Sequence, residues 1–165
     1  MQQKSFKALV NKYSPIVSNT ATRILRDSQS AQDVHQEVFL EIWRRWHKFN
    51  GQTNWNAYIY KITIRKAIRL AKHQKTRTSL LEHQEHPASN NEPDENLKAV
   101  ELHKKLAGCI AKLPKRQAQV FVLSRMEGLR AEKIAEMMDC SKETIRVHLH
   151  RALKKLAKEL GDYLV

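Results

Sequence analysis

The sequence predicts an all-α protein of two small helical domains joined by a flexible acidic linker, with a helix-turn-helix in the C-terminal domain. Three observations carry this prediction. Apolar residues recur every three or four positions through long stretches, and no stretch alternates with period two. Glycine and proline number only four each, few for a chain built on tight β-turns. The charge profile then divides the chain. Residues 1–75 hold 14 basic and 4 acidic side chains, residues 76–99 hold 2 and 5, and residues 100–165 hold 14 and 8. A chain of 165 residues suffices for two such domains, each with a modest core.

In the first domain, Phe6, Leu9, Val10 and Tyr13 recur at helical spacing, and Ser14-Pro15 has the form of a cap and first-turn proline restarting a helix. A second helix is expected from Ser30, because Ser30 and Asp33 have the spacing of a capping box. Its buried stripe is Ala31, Val34, Val38, Ile42 and Trp46, and Trp43 is placed near the core beside it. A third helix is expected from about Trp55 to Lys72, with Ile59, Ile62 and Leu70 inward. The middle segment, 76–99, carries Pro87 and Pro93 and little apolar periodicity, so it reads as a poorly folded tether.

In the second domain an amphipathic helix from Leu97 to Leu113 stops at Pro114. A helix follows at Arg116–Met126, then a break at Glu127-Gly128 and a short helix at Arg130–Met138. A long helix begins at Lys142, with Ile145, Leu149, Leu153, Leu156 and Leu160 as its inner stripe.

The strongest functional signal is Ala131 to Leu149: a short helix, a turn at Asp139-Cys140-Ser141, and a longer helix. Ala135 is small where the helices must cross, and Ser141 can cap the second helix. The start of that helix offers Ser141, Lys142, Glu143, Thr144, Arg146, His148, His150 and Arg151, a set suited to major-groove edges and flanking phosphates. A helical hairpin with a solvated charged face would explain each feature singly, but not their coincidence. A second signal lies in the first domain. Lys61, Arg65, Arg69 and Lys72 step along one helical face with Lys66 close by, next to Trp55 and Tyr58. Six of the eleven aromatics fall within the eighteen residues 43–60. Cations beside rings suit single-stranded or melting DNA, the cations following phosphates and the rings stacking on unpaired bases. A third, weaker signal is the polar patch Asp33, Gln36 and Glu37, which share a helix side.

A formal net charge of +13 favours a polyanionic partner. No apolar run approaches the ~20 residues that span a bilayer, and MQQKSFKALV lacks a secretory signal, so no membrane insertion is expected. Cys109 and Cys140 have no CxxC spacing, which suits a reduced, cytoplasmic setting. The eight histidines are scattered, and there is no phosphate-binding glycine loop. No catalytic residues, no metal site and no cofactor are expected.

These residues carry a family resemblance. DSQSAQDVHQEVFLEIWRRWHKF resembles the second conserved region of extracytoplasmic-function (ECF) sigma factors, in the primary-sigma superfamily of RNA polymerase. LPKRQAQVFVLSRMEGLRAEKIAEMMDCSKETIRVHLHRALKKL is similar to their fourth region, and the two stand in family order across an acidic segment. The resemblance implies a protein without catalytic activity that binds core RNA polymerase, directs it to promoter DNA and helps open the duplex. It implies that Asp33, Gln36 and Glu37 dock on the clamp helices of the polymerase's largest subunit. By the same resemblance Trp55 to Lys72 handle the downstream (−10) element, and Lys142 to Arg151 read the upstream (−35) element. The acidic segment would thread towards the active centre and RNA exit path, and an anti-sigma protein is left open as a further partner. Two departures stand out: Arg65 and Arg69 where the family often has Asn and Asp, and Asp139 in place of the usual turn glycine. A stand-alone helix-turn-helix regulator is the alternative, distinguished by binding a palindrome as a dimer without polymerase. A nucleic-acid-processing enzyme would need clustered carboxylates or a metal.

Overall fold

The computed structural model describes residues 2–82 and 95–161. Among them are seven α-helices and no strand: α1 (Gln2–Leu25), α2 (Ser28–Arg44), α3 (Trp55–Glu82), α4 (Glu95–Ala111), α5 (Lys115–Phe121), α6 (Ala131–Met138) and α7 (Lys142–Leu160). A 3₁₀ turn at Trp46–Lys48 follows α2, and a π turn at Val122–Met126 extends α5.

The first helix runs unbroken through Pro15, so the expected restart there does not occur. One missing N–H is tolerated because the helix is held on both sides by packing against α2 and α3. Ser14 is turned to another use: its hydroxyl lies 2.8 Å from the His35 ring nitrogen of α2. The chain reverses at Arg26, whose φ of 52° is an uncommon left-handed value for a non-glycine residue. The second helix is capped by Asp27, not Ser30: its carboxylate accepts the Gln29 and Ser30 amides at 3.3 and 3.1 Å and the Ser30 hydroxyl. Those hydrogen bonds, the Ser30 hydroxyl first, hold the Asp27 carboxyl below its usual range. Ser30 itself is buried in the first turn. Asn54 caps α3 by accepting the Ala57 amide at 3.1 Å.

Helices α1, α2 and α3 bury Val17, Ile24, Val38, Ile42, Ile59 and Ile64 against one another. Each such side chain contributes about 1.5–3 kcal/mol by leaving water. Helices α4 to α7 bury Ile110, Val120, Ile134, Ile145 and Leu156 in the same way. The two modules also pack together, and one hydrophobic cluster runs through both. Lys75 of α3 lies against Gly108 of α4, 3.1 Å from where a Cβ would stand. Arg23 of α1 pairs with Glu127 at 2.7 Å, with the Glu127 side chain only 5% exposed. The His103 ring donates to the Arg23 carbonyl at 3.0 Å.

Three further sequence expectations differ. Helix α3 continues to Glu82 and α4 begins at Glu95, so both ends of the expected 76–99 tether are helical. Residues 83–94 lie outside the described residues. Leu153 is 37% exposed, and its place in the stripe of α7 is taken by Ala152, which is fully buried. Trp43 is 42% exposed, resting on Phe6 rather than in the core.

Candidate nucleic-acid interface

The helix-turn-helix is built by two complementary caps. Helix α6 ends at Asp139 in the left-handed conformation, φ 52° and ψ 54°, where the Cys140 amide bonds back to the Ala135 carbonyl at 3.1 Å. A glycine would adopt this geometry without strain; Asp is among the residues that tolerate it. Helix α7 then starts at Ser141, whose hydroxyl accepts the Thr144 amide at 3.1 Å. Buried Ile134, Ala135 and Ile145 lock the two helices. Opposite Ile145, the exposed face of α7 carries Glu143, Arg146, Val147, His150 and Arg151. Thr144 and His148 are half-buried at its side, and His148 Nδ1 is buried without a hydrogen-bond partner among the described residues. Lys142 is tied back to Glu132 of α6 at 2.6 Å, and that contact holds the Glu132 carboxyl below its usual range. Of the eight sequence-predicted residues, four (Glu143, Arg146, His150 and Arg151) thus share one open face, and Ser141 serves the helix start.

On α3, Lys61, Arg65, Arg69 and Lys72 are all exposed, as their spacing predicts. Two cations of the set are engaged by α2, which the sequence reading missed. Arg65 donates to Glu41 at 2.8 Å, and Lys66 bridges Glu41 at 2.9 Å and Glu37 at 3.3 Å. Burial pushes the Glu41 carboxyl up, but the hydrogen bonds and charges of Lys66 and Arg65 outweigh it and leave it lowered. Glu41 stands one turn after Glu37, and that spacing was the only signal available for it. Trp55 and Tyr58 are half-buried in a ring cluster: Trp55 stacks on Trp46 at 5.8 Å between centroids, and Phe49 lies 4.8 Å from Trp55 and 5.1 Å from Tyr58. Rings held this way are pre-positioned, with part of their surface left for a further partner.

Asp33, Gln36 and Glu37 share the outer side of α2, all exposed. The same side continues through Leu40 and Trp43, both 42% exposed, which sequence reasoning did not include. Between the modules lies a cleft of ≈ 520 Å³ with Asn54, Tyr58 and Lys61 on one wall and Lys115, Arg116 and Asp139 on the other. Among the described residues no group of three or more His, Cys, Asp or Glu side chains could hold a metal ion. No described helix is long and apolar enough to cross a membrane. The Ser14–His35 contact brings a hydroxyl to an imidazole, but in the half-buried α1–α2 interface, where burial lowers the His35 pKa and Phe39 lies 4.8 Å from the ring.

A helix-turn-helix whose second helix is capped and open, across a cleft from a basic, ring-bearing helix, defines the class, a helix-turn-helix protein. The family models agree in chain order: Sigma-70 region 2 matches residues 9–77, and Sigma-70, region 4 matches residues 103–156. The chain belongs to the ECF sigma factors of the sigma-70 family, factors of promoter recognition at transcription initiation. It is 28% identical to the RNA polymerase sigma-H factor of Pseudomonas aeruginosa, covering 98% of this chain and 89% of that protein. It is also 28% identical to the ECF RNA polymerase sigma-E factor of Escherichia coli strain K12, over 91% of this chain and 83% of that one. In fold it is similar to the sigma factor RpoE of Bartonella quintana in complex with the anti-sigma factor NepR (TM-score 0.51, 18% identity, covering 96% of this chain and 98% of that one). It is likewise similar to CnrH in complex with the cytosolic domain of CnrY (TM-score 0.55, 19% identity, 97% and 90%).

Proposed function

We propose that the chain acts in the cytoplasm without catalytic activity or cofactor, as two working domains. Residues 1–75 bind core polymerase and the downstream (−10) promoter element, residues 100–165 read the upstream (−35) element, and residues 76–99 tether them. Asp33, Gln36 and Glu37 meet basic groups of the polymerase, with Leu40 and Trp43 adding apolar contact beside them. Lys61, Arg69 and Lys72 follow phosphates near the downstream element. Arg65 joins them only when Glu41 releases it, and Lys66 only when Glu41 and Glu37 both do, while the exposed parts of Trp55 and Tyr58 stack on unpaired bases. Helix α7 enters the major groove of the upstream element: Arg146 reaches base edges, while Ser141, Lys142, Thr144 and Arg151 contact the backbone and Glu143, His148 and His150 flank them. An anti-sigma protein is a further partner, of the kind found with the similar Bartonella quintana structure.

The observation that carries this reading is the exposed Glu143–Arg151 face over a Ser141-capped helix start. The test is transcription in vitro with purified core polymerase and a genomic promoter library. Start sites that require both chain and polymerase are expected. Tight dimeric binding to a palindrome without polymerase, and no transcription with it, would make the chain a stand-alone regulator instead.

A further inference from the structure

We infer that Val147 determines specificity in the reading helix by contacting the 5-methyl group of a thymine beside the base pair reached by Arg146. The inference rests on the assignment of α7 as the helix that reads duplex DNA.

Val147 is 46% exposed. It stands one turn after Glu143 and one turn before Arg151, on the side of α7 opposite buried Ile145, Ala152 and Leu156. Every other exposed residue of that face in the first three turns, Glu143, Arg146, His150 and Arg151, is charged or able to form hydrogen bonds. A lone exposed apolar residue is ordinary on a protein surface. This one is unusual in its setting, because a β-branched side chain lowers helix propensity and here is only about half covered in return. Its surroundings also fit one kind of partner. Arg146, His150, Arg151 and Lys154 lie beside it and towards the C-terminus, with Glu143 the one acid on the face, a balance that favours a polyanion over an apolar protein surface.

The chemistry of the groove then narrows the ligand. Valine has neither donor nor acceptor, so it cannot read the hydrogen-bond pattern of a base edge. The apolar group that a base pair presents in the major groove is the thymine 5-methyl. Successive helix residues rise by about 1.5 Å, against about 3.4 Å between stacked base pairs. Neighbouring side chains on the open face therefore reach the same or adjacent base pairs. A guanine contacted by Arg146 places the thymine of Val147 within one step of it, on either strand.

The test uses holoenzyme reconstituted from the full chain and core polymerase. Upstream duplexes are selected from a randomised pool, and each selected thymine is then replaced in turn by deoxyuridine, which removes only the methyl. The expected result is one thymine, adjacent to the position whose preference Arg146→Ala relaxes, where deoxyuridine weakens binding about fourfold, the effect of one methyl returned to water. With Val147→Ala the same substitution should have no measurable effect, and circular dichroism should show the helix content unchanged. Wild-type indifference to deoxyuridine at every selected thymine overturns the inference. If Arg146→Ala alters upstream preference and Val147→Ala does not, the inference alone fails. If neither does, α7 is not the reading helix and both fail.

Discussion

Replacing Glu41 with Gln should lower the stability of the protein and raise its affinity for DNA, two effects of opposite sign from one atom change. The carboxylate accepts from Arg65 at 2.8 Å and Lys66 at 2.9 Å, with side-chain exposures of 18% for Glu41, 16% for Lys66 and 48% for Arg65. A hydrogen bond to a charged group contributes about 1.5–3 kcal/mol. The Arg65 contact counts at the low end or below, because a half-exposed guanidinium regains water when released. Lys66 keeps Glu37 at 3.3 Å, so its charge is not stranded. Together these give a loss of about 2 kcal/mol at neutral pH. Since the folded Glu41 carboxyl is lowered, its contribution is present above the unfolded value and disappears as pH falls through the lower folded one. The gap between wild type and Glu41→Gln should therefore close in acid, below the ordinary carboxylate value of 4.5. Urea titrations across pH measure this part. The other part is measured by holoenzyme binding to promoter DNA over a salt series. A freed Arg65 adds one phosphate contact, steepening the salt dependence by roughly 0.9 in log–log slope. Lower stability with an unchanged slope would refute the placing of Arg65 within reach of DNA. Unchanged stability would refute the electrostatic account of the α2–α3 contact itself.

Three other outcomes are expected. Arg146→Ala should lose about 1–3 kcal/mol of promoter binding and relax preference at one upstream position, whereas Arg69→Ala should weaken all sequences alike and lower the salt slope by about one ion; a salt series with matched and mismatched elements separates them. Asp33→Lys with Glu37→Lys should weaken core-polymerase binding by about 2–5 kcal/mol in a quantitative pull-down of folded protein, and unchanged affinity would remove the docking assignment. Asp139→Gly should raise stability by on the order of 1 kcal/mol in thermal melts, because the left-handed position no longer carries a Cβ.

The helices were legible because their apolar periods are long and clean, and the helix-turn-helix because caps, a small residue and a turn coincide within nineteen positions. What was not legible depended on tertiary contact. Pro15 reads as a boundary when only α1 is considered, but α2 and α3 hold the helix together across it. The capping role passed from Ser30 to Asp27 because Arg26 takes a left-handed turn that no local pattern announces. Spacing put Arg65 on an open stripe, and it is open, but the acid that holds it belongs to another helix. Val147 is illegible for a different reason: exposure on a helix emerges only when the buried side is known, and that side holds Ala152 rather than Leu153.

The hydrophobic cluster that crosses from one module to the other makes them a single cooperative unit of stability. Heat or denaturant should melt them together, and a ligand that grips only α7 should protect amides in α1 from exchange. A large partner that needs the modules apart faces the converse. It must expose the apolar surface between α3 and α4 and release Glu127, with its nearly buried side chain, from Arg23. Its measured affinity then equals its intrinsic affinity multiplied by the fraction of molecules already separated. Substitutions at Arg23 or Glu127, which touch neither proposed DNA face, would thereby adjust how readily the factor is recruited.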